Sequence, residues 1–322
     1  MMDLTVAICM YNAEKYIEET LDSLMKQTRQ DFKLLIVNDC STDNSVEIVR
    51  QYFNKHPREY IIVSLDINQG LCAGRRYVEE NADTKYILFI DADDYALPQY
   101  VEKLYDKITS DPQLMAVGCY LEYMNIYGER VPGGIFLGAT SKEEFYEKAQ
   151  KEKLIFMAST SIYNRELALS VGGHNILGFP SGKPRYQDLC EDLDLWTRMS
   201  DLYSEGKAII VVPEVLYRYR KGEGMSTSSI GMILRMRHIK TNLKRRRRGE
   251  KELTFIEFRE QMSAEEYRNI EREAKAADLL RSGYYRLRKG KILSGMADVV
   301  KSTMLNPQYM WSKVKHNLLR LK

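Results

Sequence analysis

The most informative stretch of this chain is Tyr86-Ile-Leu-Phe-Ile-Asp91-Ala-Asp93-Asp94, in which five apolar or aromatic residues end abruptly in three carboxylates. A continuous apolar run of this kind predicts a β-strand buried on both faces. In open α/β sheets, ligands bind at the carboxyl ends of such strands. On an extended backbone the side chains of Asp91 and Asp93 would point the same way. The pair predicts either a site for a hard divalent cation such as Mg²⁺ or Mn²⁺, or a solvated acidic turn that caps the next helix.

The chain before this stretch alternates between strands and helices. Three further strand-like runs are found at residues 4–9, 32–37 and 60–65. Helical segments separate the runs at residues 13–27, 45–53 and 70–81. This alternation predicts right-handed crossovers, and hence a parallel sheet with helices on both faces. The carboxyl ends of the four strands then meet at one edge, which collects Tyr11, Asp39, Asn68 and Asp91.

The chain after this stretch is less regular. Helices are predicted over residues 98–110 and 188–203, and strands within residues 113–126, 207–212 and 215–220. Residues 132–138 and 172–186 carry glycine and proline without periodicity and are predicted as loops. From residue 230 the chain is helical and basic. We therefore expect an α/β domain over residues 1–229 and a helical basic extension over residues 230–322.

Composition indicates an ordinary globular protein in a reducing compartment. Of the 322 residues, 44% are hydrophobic and 29% are charged. The five cysteines are widely spaced and form no CxxC pair, so neither a zinc site nor a disulfide framework is predicted. No signal peptide is recognised, and no window approaches about eighteen consecutive apolar residues. These features predict a cytoplasmic protein.

Charge is divided unevenly along the chain. Residues 235–322 hold 23 Lys and Arg against 10 Asp and Glu, whereas the residues before them hold 25 against 35. An acidic body with a basic tail predicts that the tail meets an anionic partner.

The basic tail fits a membrane surface better than nucleic acid. Its cluster Lys244-Arg-Arg-Arg-Arg248 has no helix-turn-helix or interleaved aromatic pattern. Clustered Lys and Arg attract acidic lipids by about 1 kcal/mol each near the surface. Residues 304–322 alternate apolar and basic positions, which predicts an interfacial helix at the inner membrane face. The alternative is a helix that packs on the domain or on a second subunit, giving a homodimer.

Five segments together resemble family 2 glycosyltransferases of the GT-A fold. They lie at residues 5–12, 38–43, 68–75, 91–94 and 191–198, in the family's order and spacing. The resemblance covers residues 3–225 and implies a Rossmann-like α/β fold with a mixed, mostly parallel sheet flanked by helices. It also implies metal-dependent, inverting transfer from a nucleotide-diphospho-sugar, without a covalent intermediate, by residues 1–229. The acceptor would be a saccharide or a lipid-linked molecule in the synthesis of surface polysaccharide or glycolipid.

Two residues are expected at the nucleobase. In the family, the carboxylate that matches Asp39 accepts the imide N–H of uracil. The alternative is that Asp39 only forms the turn and caps the next helix, a role for which Asp43 is better placed. Tyr11 would stack on the base, or else it is a packing residue at the end of a strand.

Two arginines are expected near the diphosphate. Arg75 lies beyond Gly70 near a helix start, where backbone N–H groups and a guanidinium would meet phosphate oxygens. Its alternative is a surface arginine that pairs with Glu79 four residues later. Relatives usually have Arg-Asn here, whereas this chain has Arg75-Arg76. Arg220 occupies a position where many relatives carry a metal-directed histidine; an arginine cannot ligate a cation but can contact the diphosphate.

The carboxylates divide between the metal and the acceptor. The resemblance makes Asp93 the metal ligand, with Asp91 near the ribose or a metal-bound water, and gives Asp94 a supporting role. Asp192 matches the general base, and Glu191 would orient the acceptor or the base. Residues 222–229 would form a lid over the donor or a flexible linker. His174 is assigned no role, because the four histidines show no metal spacing.

Two other functions are compatible with an α/β domain of this kind. A nucleotidyltransferase usually opens with a glycine-rich phosphate loop, which residues 10–14 lack. A catalytically silent scaffold that docks at membranes would not need Asp91, Asp93 and Asp192, all of which are present.

Overall fold

The computed structural model describes residues 3–221 and 229–311. The predicted lid, apart from Ser229, and residues 312–322 of the predicted interfacial helix lie outside the described residues. No helix within the described ranges is long and apolar enough to cross a bilayer.

One mixed sheet organises the fold. Among the described residues it has nine strands: β1 Leu4–Met10, β2 Lys33–Asn38, β3 Ile61–Ser64, β4 Tyr86–Phe89, β5 Tyr95–Ala96, β6 Leu114–Met124, β7 Arg130–Ile135, β8 Ile162–Asn164 and β9 Ala208–Arg220. Their order is β3-β2-β1-β4-β8-β6-β9-β5, and β7 pairs with β6. Strand β1 is parallel to both β2 and β4, and β2 is parallel to β3. Strand β8 is antiparallel to both β4 and β6, and β6 is parallel to β9. The parallel half of the sheet therefore confirms the alternation predicted from the first 90 residues.

Helices flank the sheet, and further helices follow its last strand along the chain. Their bounds are α1 Ile17–Met25, α2 Ser45–Lys55, α3 Leu71–Asn81, α4 Tyr100–Thr109, α5 Lys142–Gln150, α6 Arg165–Ser170, α7 Glu191–Met199, α8 Ser229–Arg247, α9 Phe255–Glu260, α10 Ala264–Arg288 and α11 Ile292–Leu305. Helices that pack on the sheet carry apolar residues on their inward faces at spacings of three and four, as in α4, where Val101, Leu104 and Ile108 are buried. This burial places the main apolar core on the two faces of the sheet.

The second half of the sheet departs from the sequence-based expectation. Residues 130–135 form β7 although they contain a proline and two glycines, because β7 pairs on one side only and Pro132 need not donate into a ladder there. The two predicted strands at residues 207–220 are a single strand, β9. Its register with β6 passes from Val212 to Val215, so Pro213 and Glu214 bulge out of the ladder. Strand β8 has only three residues, too few for a pattern.

The chain divides into two compact units. The described parts of the first unit are residues 3–177, 190–221 and 243–249, which include the sheet. Those of the second are residues 178–189, 229–242 and 250–311. The predicted domain limits at residues 229 and 230 stay a proposal.

The second unit has an apolar core of its own. Phe255, fully buried, packs against Tyr186 with ring centroids 4.6 Å apart and against Phe179 at 5.7 Å. Arg235 stacks on the Phe179 ring at 4.7 Å and donates from Nε to the Leu189 carbonyl at 3.1 Å. Residues 178–189, of which 178–186 were predicted as part of a loop, thus fold with the helical extension.

Candidate active site

The carboxylate of Asp39, directly after β2, is buried and already hydrogen-bonded. Its oxygens accept the N–H groups of Gln69 at 2.7 Å and Gly70 at 2.8 Å, and the amide of Asn68 at 2.8 Å. Asp39 therefore holds the turn that starts α3, a role that sequence reasoning missed. Oδ1 accepts one of these bonds and Oδ2 two, so the carboxylate keeps capacity for a further donor such as an imide N–H. Asp43, as expected, accepts the first-turn N–H of Ser45.

Tyr11 follows β1 and is half exposed, at 50%. Part of the ring is therefore accessible and part is covered. Stacking on the base and packing at the end of the strand both stay open for Tyr11.

The acidic segment after β4 forms a turn rather than an extended strand. The Asp94 N–H donates to the Asp91 carbonyl at 3.2 Å, and the chain then enters β5, which pairs antiparallel with β9. The expectation that an extended backbone aligns Asp91 and Asp93 is wrong, because the chain reverses direction here. The two carboxyls nevertheless interact: burial, followed by the charge of Asp91, raises the pKa of Asp93 to about 6.

Asp94 lies behind this turn and is fully buried. Its Oδ1 accepts the backbone N–H of Arg220 at 2.7 Å, and within the described part of the chain Oδ2 has no hydrogen-bond partner. Burial, with the charges of Asp91 and Asp93, raises the pKa of Asp94 well above its ordinary value. Asp94 thus ties the end of β9 to the turn, and its supporting role at a metal stays a prediction.

The acidic turn is chemically suited to a divalent cation with few protein ligands. The charge of Asp91 raises the free energy of the ionised form of Asp93, and a cation would relieve that repulsion. Across residues 3–221 and 229–311, no group of three or more His, Cys, Asp or Glu side chains is arranged to hold a metal. Mg²⁺ is often held by one or two carboxylates together with substrate phosphates, and two carboxylates are what this turn offers.

Arg220 is buried and engages partners other than the predicted diphosphate. Its Nε donates to the Asp93 carbonyl at 2.6 Å, Nη1 to the Asn125 carbonyl at 3.1 Å, and Nη2 forms an ion pair with Glu19 at 2.5 Å. The guanidinium also stacks on Tyr16 at 4.6 Å. Arg220 therefore stabilises the acidic turn through the Asp93 carbonyl, and its contact with the diphosphate stays a prediction.

Arg75 joins the two acidic segments of the site. It is 1% exposed, and it pairs through Nη2 with Asp91 at 2.9 Å and through Nη1 with Glu191 at 2.7 Å. The surface pair expected as its alternative is formed instead by its neighbour Arg76, which contacts Glu80 at 2.6 Å. Of the two arginines, Arg75 is the one directed into the site. It places the carboxylates of Asp91 and Glu191, 100 residues apart in sequence, on one guanidinium.

Glu191 and Asp192 begin α7 at the bottom of the same site. Cys190, just before them, has a left-handed backbone (φ 57°), which turns the chain into the helix. Burial and the charge of Asp192 raise the pKa of Glu191 to about 7, although Arg75 opposes the shift. Burial also raises the pKa of Asp192, whose Oδ1 accepts the Leu193 N–H at 2.7 Å. The side chain of Asp192 is partly exposed.

A buried cluster behind the site was missed by sequence reasoning. The Glu79 carboxylate accepts the Tyr163 hydroxyl at 2.9 Å and the His174 backbone N–H at 2.7 Å, and it contacts His174 Nδ1 at 2.8 Å. All three side chains are at most 2% exposed. His174 is thereby given a structural role. Their separation in sequence leaves no local signal by which they would have been found.

Gly172 and Gly173, just before His174, lie next to the same buried cluster. Arg198, seven residues after Glu191, donates to the carbonyls of Val171 and Gly173, each at 2.7 Å. Gly173 has φ 59°, and a Cβ there would lie 2.6 Å from the Glu79 carboxylate. Only glycine fits this position, because both the backbone conformation and the space exclude a side chain.

We expect Glu79→Gln to lower the free energy of unfolding by about 1–3 kcal/mol, because one acceptor oxygen of a buried network becomes a donor. Burial alone would raise the pKa of Glu79, but the His174 charge and the hydrogen bonds outweigh it and lower the pKa. The stabilisation is therefore present above the pKa of an unfolded glutamate and is lost as the pH falls through the lower folded value. Urea denaturation at pH 7 and pH 4 measures both effects. Glu80→Gln, in an exposed pair, is the matched control and should change stability by less than about 0.5 kcal/mol; equal effects of the two variants would contradict the assignment.

Curated relatives of this chain are bacterial glycosyltransferases. Glycosyltransferase GlyA of Streptococcus pneumoniae is 34% identical over 153 residues, which are 48% of this chain and 21% of the relative. An uncharacterized glycosyltransferase of Haemophilus influenzae is 27% identical over 230 residues, 70% of this chain and 68% of the relative. The chain thus spans about a fifth of the length of GlyA and about two thirds of that of the second relative.

The fold matches solved structures of the same kind. The structure of Staphylococcus aureus TarS residues 1–349 in complex with UDP-GlcNAc aligns with a TM-score of 0.56 and 22% identity, over 97% of this chain and 92% of that one. The mixed sheet flanked by helices, with its helical extension, is accordingly a GT-A fold. Residues 5–171, just over half of the 322 residues, match the family model described as Glycosyl transferase family 2, and the chain therefore belongs to that family.

Proposed function

We propose that this chain transfers a sugar, with inversion, from a nucleotide-diphospho-sugar to a saccharide or lipid-linked acceptor in surface polysaccharide or glycolipid synthesis. The observation that carries the proposal is the double ion pair of Arg75, which joins Asp91 of the acidic turn to Glu191 beside Asp192. A donor-side acidic turn and an acceptor-side carboxylate in one site are what an inverting displacement requires.

A UDP-sugar is the proposed donor. Asp39 would accept the imide N–H of uracil through its remaining capacity, with Tyr11 stacked on the ring. The fold relationship to a protein solved with UDP-GlcNAc supports this donor class. Arg75 would act mainly by neutralising Asp91 and Glu191, and a direct contact with the diphosphate would require it to release Asp91.

Asp192 is the proposed general base. The acceptor hydroxyl would attack the anomeric carbon from the face opposite the diphosphate, and its proton would pass to Asp192 Oδ2 as the bond to the diphosphate breaks. Glu191 would orient Asp192 or the acceptor. Asp93 and Asp91 would hold Mn²⁺ or Mg²⁺, which when bound would neutralise the charge that develops on the departing diphosphate.

The proposed partners differ from the sequence-based expectation in one respect. Arg246 and Arg247 of the basic cluster pair with Asp201 at 2.7 and 2.5 Å inside the first unit, and Arg247 stacks on Tyr203. At least two of the arginines in that cluster are thus engaged by the protein, which weakens the case for the cluster as the membrane contact. A cytoplasmic location with peripheral attachment at the inner membrane face, no nucleic-acid partner, and a homodimer remain proposals.

Calorimetry with a panel of UDP-sugars and Mn²⁺ tests the donor proposal. We expect Asp93→Asn to weaken metal-dependent donor binding by about 10–100-fold or more. Replacing a group that only orients a metal ligand already costs about 10–100-fold in metal affinity, and loss of the ligand itself should cost at least as much. Asp83→Asn is the control and should bind normally. Asp83 is an exposed carboxylate that pairs with Lys33 at the start of β2, at the end of the strand opposite to Asp39. Absence of any heat with the native chain would favour the alternative, a catalytically silent scaffold. Metal-independent donor binding would refute the ion site but not the donor site.

A further inference from the structure

Helices α10 and α11 form an antiparallel pair in which α11 turns its apolar side away from its partner. The residues of α11 that are buried are small or polar, namely Gly295, Asp298 and Ser302. Large apolar residues lie on the opposite side of the helix. A helix that packs on a protein core normally shows the reverse arrangement, with its apolar stripe inward.

Close backbone contact and polar bonds hold this pair together. A Cβ on Gly283 would lie 2.8 Å from the Gly295 carbonyl, and a Cβ on Gly295 would lie 2.9 Å from that of Gly283. Asp298, 7% exposed, pairs with Arg286 at 2.9 Å, and Ser302 donates to the Ala276 carbonyl at 2.7 Å. Glycines, polar bonds and the partly buried Val299 and Leu287 thus make up the contact between the two helices, and the large apolar side chains on the opposite side of α11 are left for another surface.

The outward face of α11 is an exposed apolar stripe. Its members are Ile292, Leu293, Met296, Val300 and Met304, which are 61%, 88%, 57%, 54% and 78% exposed. At about 100° per residue they span an arc of roughly 120°, somewhat wider than the roughly 100° apolar stripe of an ordinary surface helix. Tyr284 and Tyr285 of α10 and Trp311 after α11 are also more than half exposed. Contiguous apolar surface of this kind marks a contact with a partner or a membrane.

The charges around the stripe identify its partner. The one acidic residue of α11, Asp298, is buried and paired with Arg286. The exposed charges next to the stripe are the lysines at 289, 291 and 301. Two copies of such a face would bring lysines against lysines, whereas an anionic bilayer would attract them.

We propose that the outward face of α11 lies on an anionic lipid surface, with its apolar side chains among the headgroups and its lysines at the phosphates. A helix of 14 residues is about 21 Å long, too short to cross a hydrocarbon core of about 30 Å, so it lies in the plane of the interface. Aromatic residues at the edge of the contact suit that depth. The inference deepens the proposed membrane attachment and moves it from residues 244–248 to α11. It does not depend on the transfer reaction.

Vesicle co-sedimentation of the full chain tests this surface. Native protein should pellet with vesicles that contain phosphatidylglycerol and much less with pure phosphatidylcholine. Leu293→Ser combined with Val300→Ser should lower the bound fraction at least about tenfold, because two apolar anchors are removed. Lys289→Glu combined with Lys291→Glu should lower binding to the anionic vesicles about tenfold or more. Both pairs are exposed, so far-UV circular dichroism should stay native.

Matched variants distinguish lipid binding at α11 from dimerisation and from binding elsewhere in the chain. Ile61→Ser should bind as native protein does. Ile61 lies on β3 and is about as exposed as Val300. Asp192→Asn should also bind normally, which separates this inference from the proposed reaction. Unchanged binding by the Leu293/Val300 variant, or no binding by the native chain, overturns the proposal. So does a dimer, seen by light scattering without vesicles, that this variant abolishes. A Val314→Ser/Leu318→Ser variant that loses all binding while the α11 variant keeps it would place the contact in residues 312–322 and equally overturn it.

Discussion

Replacing Asp192 with asparagine is expected to lower kcat by about 10²–10⁴-fold without loss of the fold, because the proposed general base is removed while the shape of the side chain is kept. The hydrogen bond from the Leu193 N–H to Oδ1 survives in the amide. Burial raises the pKa of the native carboxyl, so its ionised form is already unfavourable in the folded chain and a neutral amide carries no such penalty. Stability should therefore be equal or slightly higher at pH 7. Turnover with the UDP-sugar that binds, together with urea denaturation, measures both quantities.

Asp194→Asn is the comparison that separates a catalytic from a structural carboxylate. Asp194 lies two residues further along α7 and pairs with Arg198, which holds the Gly173 carbonyl. Its replacement should lower stability more than Asp192→Asn and lower kcat less. Normal transfer by Asp192→Asn would show that another group takes the proton. The acid limb of the native pH–rate profile should also lie above the ordinary aspartate pKa of about 3.9, in the direction of the shift at Asp192.

Replacing Arg75 with methionine is expected to lower the free energy of unfolding by about 3–5 kcal/mol, because two partly or wholly buried carboxylates lose their partner. The side chain of Glu191 is 9% exposed and that of Asp91 is 22% exposed, so water replaces the guanidinium poorly. Arg76→Met is the matched control: Arg76 is more exposed and its pair with Glu80 is worth only a few tenths of a kcal/mol. The double variant Arg75→Met/Glu191→Gln should recover part of the loss, since one unpaired charge is removed.

The loss in free energy of unfolding caused by Arg75→Met should grow as the pH rises. In the native chain the pKa of Glu191 is about 7, above the value of about 4.3 for an unfolded glutamate. The folded chain thus holds this proton more tightly, and stability falls as the pH rises through that window. Without Arg75 the folded pKa rises further, so the variant should lose more stability than the native chain between about pH 5 and pH 8. A deficit that is independent of pH would mean that Arg75 acts through packing alone.

The donor-side half of the site was accessible to sequence reasoning because its signals are local. The apolar run of residues 86–90 predicts a buried strand regardless of its neighbours, and the carboxylates that follow it necessarily lie at the strand's end. The same holds for Asp39 after β2. Backbone direction at the acidic turn was predicted wrongly, because the pairing of Tyr95 with Arg218 on β9 reverses the chain there.

Residue types that serve several roles were the hardest to assign. Arg220 was predicted at the diphosphate because it occupies a position where many relatives carry a histidine. In the structure its Nε, Nη1 and Nη2 donate to Asp93, Asn125 and Glu19. An arginine carries five donors, and which acceptors they meet depends on segments distant in the chain. His174 gave no sequence signal for the same reason, since its partner Glu79 is 95 residues away.

Periodicity was sufficient to predict the parallel half of the sheet and the strand ends that carry Tyr11, Asp39 and Asp91. Five short motifs carried the family resemblance. All of these depend on short stretches of chain. Charge pairing required the folded structure. Arg75 meets Glu191 across 116 residues, and the outward face of α11 is defined only because Gly295 and Ser302 pack against α10. Ion pairs and helix faces depend on which distant surfaces meet, and that is a property of packing rather than of local pattern.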